Sequence, residues 1–565
     1  MLDVVVTGGT VVDGTGAPGS RRDVGIAEGV VTAVEPSGTL ADADASTVVD
    51  ATGRVVAPGF VDIHTHYDAQ ILWDRMLTVS PWHGVTTVVT GNCGFGIAPT
   101  RPDARELVVG TLEKVEGMSA AALRAGLGTP WPFETFPEYL DAVGAREPAI
   151  NVAALIGHTP VRLAVMGEDA TERSATVDEV ARMRAIVADA VASGALGFAT
   201  SKSATHVGHG GRPVPSRAAE FAEILEIAGA LGDAGRGVIQ ATIGSGLAFD
   251  EFATLARETG RPISWTALLA GAGGPGGADR LLGATSRLLD AGLPVHAQVS
   301  CRPLNFEFSM AEPFPFESMR LFAPISAAPA LDAKAAVYRD GEFRAAFREK
   351  LAAGGAGALG GSWDRTVVSW FPPDPSLEGR SVAAIADEQG VDPSDLVLDL
   401  ALESGLTARF RMAVLNFDDD AVEPLLVDPH TMLGLSDAGA HASQLCDSCF
   451  STHLLSHWVR DRKALSLEEA VRKLTSEPAA VFGITDRGTL AVGRPADVVV
   501  FDADTVGCSD LRRVADQPAG AERLVADATG IEAVIVNGSI LRRDGADAVA
   551  PDGPLPGRLL RNGSA

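Results

Sequence analysis

GFVDIHTHYD, residues 59–68, joins an apolar run (Phe60, Val61, Ile63) to two histidines, His64 and His66, two positions apart. In an extended strand the side chains alternate, so both imidazoles leave the same face. Imidazole is a common ligand for zinc and similar ions, and two on one face make half of a metal site. Taken alone, a His-x-His pair more often fills or edges a core. The surrounding chain decides between the two.

Seven more strand-like runs follow, at 85–90, 150–156, 195–200, 237–242, 262–267, 293–299 and 432–436. Amphipathic stretches at 177–193, 217–232 and 279–291 separate several of them, the pattern of parallel βα units. Eight such units predict an α/β (β/α)8 barrel, whose chemistry sits at the C-terminal ends of its strands. His64, His66, Asn92, Cys93, His158, Lys202 and Asp437 all fall there. Short β-like runs occupy both chain ends, which predicts a small composite β-sandwich built from residues 1–57 and 487–565 around a barrel at 58–486. The stretch 300–430 is too long for a βα connection and reads as an insertion between strands seven and eight, covering the barrel mouth. A helix at 466–482 would carry the chain back to the sandwich.

The formal charge of −27 argues against nucleic acid or an anionic membrane as the main partner. The opening MLDVVVTGGT reads as strand and turn rather than a leader, and no run reaches the length of a membrane span. Five cysteines, an odd number, fit a reducing compartment, so a cytoplasmic location is expected. Cys446 and Cys449 form a C-x-x-C pair without a second pair at zinc-ribbon spacing, and read as packed thiols.

Five segments in order, GFVDIHTHYD (59–68), GNCGFGIAP (91–99), GHTPVR (157–162), GLSDAGAH (434–441) and GRPADVVVFD (493–502), resemble the D-aminoacylase-like branch of the amidohydrolase superfamily. The resemblance spans nearly the whole chain and implies metal-assisted hydrolysis of an amide, most readily in an N-acyl-D-amino acid. It implies His64, His66, Cys93 and Asp437 as ligands to one or two zinc ions, with Cys93 in the bridging position. It also implies Asp437 as the group that takes a proton from metal-bound water and passes it to the leaving amine. His441, four residues on, would orient Asp437 or cap a helix.

The usual members add histidines from strands five and six. Here those strands read GVIQATIGSG and PISWTALLAG, offering only Gln240, Thr242, Ser264 and Thr266. That leaves one metal on the first-strand pair with Asp437 and Cys93, substitution by His206, His209 or His296, a role for Lys202 as a carboxylated lysine, or loss of the metal. The segment 197–217, GFATSKSATHVGHGGRPVPSR, resembles that of less characterised members. Its Lys202, His206 and Arg217 are candidates to bind a substrate carboxylate, or else belong to a solvated loop. His158, with Arg162, is a candidate substrate contact or a satisfied core histidine. A small-molecule substrate is expected, and the resemblance leaves a homo-oligomer open. The alternatives are hydrolysis of a cyclic amide, ester or lactone, or a barrel that has lost catalysis and serves a binding or structural role.

Overall fold

The computed structural model describes all residues except 209–210, 318, 329 and 354–361. It forms two compact units, Met1–Arg302 with Asp420–Ala442 and Cys446–Ala565, and Pro303–Asp419 with Ser443–Leu445.

The first unit holds an eight-stranded parallel sheet, with strands in chain order at Phe60–Asp62, Val85–Thr90, Asn151–Gly157, Gly197–Ser201, Val238–Thr242, Ile263–Leu268, Val295–Val299 and Thr431–Leu433. Each strand pairs with the next, and a parallel bridge from Thr65 to Ala438 joins the last segment to the first. All eight expected strands are present, and the fold is the (β/α)8 barrel. The helices follow the expected rhythm. Val177–Ser193 starts where the Thr176 hydroxyl accepts from the Glu179 N–H at 3.3 Å and the Glu179 carboxylate accepts from the Thr176 N–H at 2.8 Å. That reciprocal cap satisfies two otherwise orphaned donors.

Alternation along strand six shows how the barrel is filled. Trp265 is fully buried, packed on Phe249 and Phe252, with its indole N–H donating to the Thr285 hydroxyl at 3.2 Å. Ser264 and Thr266 point the opposite way, toward Gln298 and Gln240. A separate apolar cluster joins Val61, Ala153, Leu155 and Val238 to Phe482 and Leu560.

A nine-stranded mixed sheet is sewn from both chain ends, with Val55–Pro58 pairing antiparallel to Val498–Phe501. Leu2–Val11 slips register between Val6 and Gly9 and takes three partners, Ser20–Ala27, Ala45–Asp50 and Val55–Pro58. A bulge of this kind bends a strand and lets the sheet fold over a core. Val498 and Val500 enter that core with Val4, Val24 and Val56, while Val499 and Phe501 join the barrel's apolar cluster. Burial on both faces explains the unbroken VVVF run. Beside it, buried Asp497 accepts from Arg487 Nε at 2.8 Å, Asn151 Nδ2 at 2.9 Å and the Asn537 N–H at 2.7 Å. This ties the composite sheet to the start of barrel strand three.

The second unit, described by itself, lies between strands seven and eight in the chain. Its three-stranded antiparallel sheet has Arg409–Leu415 between Leu304–Ser309 and Thr366–Trp370, over an aromatic core including Phe308, Phe316, Phe347 and Phe410.

His83, fully buried before strand two, bonds the Thr452 hydroxyl at 2.8 Å and the Ala526 carbonyl at 3.0 Å. Burial lowers its pKa from 6.5 to about 4. The neutral ring's contribution is therefore complete above pH 6.5 and lost as pH falls through 4. It amounts to about 3 kcal/mol by linkage. Urea midpoints at about pH 7.5 and about pH 4.5 should fall further apart in the parent than in His83→Gln. Equal falls would remove His83 as a source of acid instability.

Candidate metal centre

The barrel closes through two backbone hydrogen bonds, Asp437 N–H to the His64 carbonyl at 3.1 Å and His66 N–H to the Ala438 carbonyl at 2.7 Å. The same closure brings side chains from the first and last strands together. Asp437 Oδ1 lies 3.3 Å from His64 Nε2 and 3.9 Å from His66 Nε2. Gly439 has φ of 95°, and a Cβ there would sit 2.8 Å from the His66 carbonyl, so the seam needs glycine. Asp437 itself holds a left-handed φ of 47°, a conformation that carbon-branched residues resist and aspartate tolerates.

Cys93 enters from the turn after strand two. The turn is GNCG, with φ of 83° at Gly91 and 57° at Cys93. At Gly91 a Cβ would lie 2.1 Å from the Leu155 carbonyl oxygen, which is why strand three can pass so close. The Cys93 N–H donates to Gln240 Oε1 at 2.6 Å, and its sulfur lies 3.4 Å from His64 Nε2. Donor atoms of His64, His66 and Cys93 all lie within 4.8 Å of one another.

Nitrogen, sulfur and oxygen ligands around tetrahedral zinc stand roughly 3.3–3.6 Å apart, from bond lengths of about 2.0–2.3 Å. The 3.3 and 3.4 Å separations match that spacing. The electrostatics agree. Burial lowers the pKa of His66 well below 6.5, with neighbouring His64, His441 and His206 adding to the effect, so its imidazole is neutral and able to ligate. Burial pushes the Cys93 thiol well up, with the charges of Glu116 and Asp437 opposing ionisation further. Glu116 is raised by burial and by Asp437 and Asp68. Asp68 itself rises to about 6 through burial. Buried carboxylates whose neighbours are other carboxylates suit a cation.

Polar residues around the ligands hold them in place. Gln298 Oε1 lies 2.7 Å from His64 Nδ1, and its amide donates to Ser264 Oγ at 2.8 Å. Glu116 Oε1 lies 3.4 Å from His66 Nδ1. Ser436 donates to Asp62 at 2.6 Å and to the His64 carbonyl at 3.0 Å. On strands five and six, Gln240 bonds Thr266 at 3.4 Å and Thr266 bonds Thr242 at 3.2 Å.

The remaining candidates divide. His206 interacts electrostatically with His66, its Nδ1 bonds Ser201 Oγ at 2.7 Å, and its ring packs on Phe95. His441 also acts on His66, through a left-handed turn whose N–H donates to the Glu116 carbonyl at 2.5 Å. Three others are placed differently from the substrate-binding expectation. His158 is fully buried between the Thr200 hydroxyl and Glu223, each at 2.9 Å, and Glu223 also pairs with Arg162. It is the satisfied core histidine. Lys202 Nζ donates to the Arg217 and Ala219 carbonyls at 2.6 and 2.7 Å. Arg217 Nη1 donates to the Ala204 and His206 carbonyls at 3.1 Å each. Both cations are engaged in shaping the 202–219 loop. His296 stands at the start of strand seven with the His430 imidazole as its electrostatic neighbour. His209 lies outside the described residues.

An eight-stranded barrel with histidine, cysteine and aspartate converging at its closure seam defines a metal-dependent hydrolase of the barrel class. Residues 47–542 match the amidohydrolase family, and the chain belongs to that family. D-aminoacylase of Alcaligenes xylosoxydans xylosoxydans is 32% identical, covering 95% of this chain and 94% of its own. A D-aminoacylase structure, from work on its binuclear metal centre, superposes with a TM-score of 0.67 at 29% identity, covering 99% of this chain and 100% of the other. N-acyl-D-glutamate deacylase of Bordetella bronchiseptica, solved with zinc and a phosphonate mimic of the tetrahedral intermediate, gives 0.65 at 29% identity, covering 99% of each chain.

Replacing Gln298 by Leu should leave the thermal transition of metal-free protein near the parent's while weakening zinc binding about 10–100-fold, because His64 loses the group that orients its ring. Titration of apo-protein with zinc by calorimetry reads this directly. Unchanged affinity would show that the barrel seam alone orients the ring.

Proposed function

We propose that this chain hydrolyses the amide of an N-acyl-D-amino acid, with His64, His66, Cys93 and Asp437 holding one zinc ion. The observation that carries the reading is the cluster of those four side chains at the barrel seam. Likeness to D-aminoacylase and to the zinc-bound N-acyl-D-glutamate deacylase supports the metal, the linear amide and the D configuration. A bound zinc ion supplies Lewis acidity, acidifying water and polarising the carbonyl.

The chain's own groups do the rest. His64 and His66 are 1% and 5% exposed and serve only to hold, whereas Asp437 is 26% exposed and reaches the substrate side. Asp437 takes the proton of the attacking water and returns it to the leaving nitrogen, whose expulsion as a neutral amine needs that proton. His206 has its pKa lowered by burial to about 4 and is neutral in the working range. It faces the reacting groups as a hydrogen-bonding contact. No helix among the described residues is long and apolar enough to cross a membrane, and the described cysteines are free thiols. Both support a cytoplasmic location.

Zinc-loaded protein should release free amine from N-acetyl-D-amino acids and leave the L forms intact. Asp437→Asn should lower kcat by about 10²–10⁴-fold with zinc still bound. An active parent with an unaffected Asp437→Asn would remove the mechanism, and cleavage restricted to cyclic amides or lactones would replace the substrate class.

A further inference from the structure

Polar side chains stand in register on the inner face of the barrel, across strands four to six. Ala199 and Ser201 of strand four pair with Gln240 and Thr242 of strand five, and these with Ser264 and Thr266 of strand six. Registered neighbours in a parallel sheet share a face. Ser201 therefore lies in the inward layer of Thr242 and Thr266, next above Gln240, which accepts from the Cys93 N–H.

His206 rests on that serine. Its Nδ1 is 2.7 Å from Ser201 Oγ. The Ser203 N–H donates to the same oxygen at 3.2 Å, so the serine's one proton is left for Nδ1. Nδ1 accepts, and in the neutral ring the remaining proton sits on Nε2. Among the described residues no hydrogen bond engages Nε2. The backbone is held on both sides: Arg217 Nη1 donates to the His206 carbonyl at 3.1 Å, and the His206 N–H donates to the Ser203 carbonyl at 3.2 Å. The ring packs on Phe95 with centroids 5.0 Å apart. Phe95 ends the turn that presents Cys93, and this turn is pressed onto strand four, since a Cβ on Gly94 would lie 2.9 Å from Thr200 Cα. Electrostatic interaction of His206 with His64 and His66 agrees with this placement.

We propose that His206, fixed by Ser201 as its Nε2–H tautomer, donates to the carbonyl oxygen of the scissile amide. The role rests on the amide-hydrolase reading above. As water adds to the carbonyl carbon, the π pair of the C=O bond moves onto oxygen. A donor already in place meets that charge as it develops. When the amine departs the pair returns to the C=O bond, and His206 keeps its proton throughout. The carbonyl is the group it meets, because the carbonyl must reach the His64, His66 and Cys93 cluster and the ring packs on the turn that carries Cys93. Ser201 is a positioning residue, acting only through the ring.

The test uses the zinc-loaded full chain, assayed on N-acetyl-D-amino acids and labelled with 15N-histidine for NMR. His206→Leu should lower kcat about 10²–10³-fold with KM little changed. His206→Gln keeps an N–H donor near the position of Nε2 and should recover part of that loss. Two-bond 15N–1H spectra of the parent, with the ring assigned through His206→Gln, should show a proton on Nε2 and none on Nδ1. Ser201→Ala should mix the two tautomers and lower kcat, and Ser201→Thr should restore both. Where His206→Leu fails to fold, His206→Gln and the parent's spectrum carry the test. A proton on Nδ1 in the parent would overturn the proposal. A rise in KM with kcat maintained would also overturn it, by making the ring a ground-state contact. A parent inactive on every N-acyl-D-amino acid overturns the substrate reading and this role with it, whereas an active parent indifferent to both His206 variants overturns this role alone.

Discussion

Two backbone hydrogen bonds at the barrel seam, Asp437 N–H to the His64 carbonyl and His66 N–H to the Ala438 carbonyl, are the constraint on which the site depends. They close the barrel, and they set the distance between side chains some 370 residues apart in sequence. The geometry leaves little freedom. A side chain at Gly439 would strike the His66 backbone, and Ser436 bridges Asp62 and the His64 carbonyl beneath the seam. Ligands borne on paired backbone are held more firmly than ligands on loops, and that precision is what a metal centre requires. Fold closure and site assembly are one event here.

The second constraint is charge. Asp62, Asp68 and Glu116 are buried near Asp437, and burial raises the pKa of each of the three. Folding this set without a cation means either holding protons or bearing mutual repulsion. A divalent ion held by these residues would relieve both and favour the Cys93 thiolate. Metal binding and stability are therefore linked through the same residues.

The fold was legible because its signals are periodic. Eight apolar runs and the repeated β texture at both ends are local patterns that packing rewards directly. The convergence of His64, His66, Cys93 and Asp437 was legible because their motifs survive together. Glu116 was not. It follows a helix in KVEGMS, where a glutamate reads as solvated, and its burial depends on tertiary placement. Gln298 gave no signal for the same reason. Lys202 and Arg217 misled because a cation near a mouth suggests an anionic ligand, yet in this fold they satisfy loop carbonyls. His158 misled similarly, since sequence cannot show that Glu223 and Arg162 already occupy it.

The departure at strands five and six has a physical reading. Relatives in the resemblance place imidazoles there, and imidazoles toward a shared sulfur build a second metal position. Here Thr242 and Thr266 stand in their place, with Thr266 donating to the Thr242 hydroxyl, and Gln240 accepts from the Cys93 backbone N–H. Neutral hydroxyls and an amide are poor zinc ligands but good donors to a thiolate. The proposed single-zinc reading rests on that difference, since strands five and six would add no ligand to His64, His66, Cys93 and Asp437.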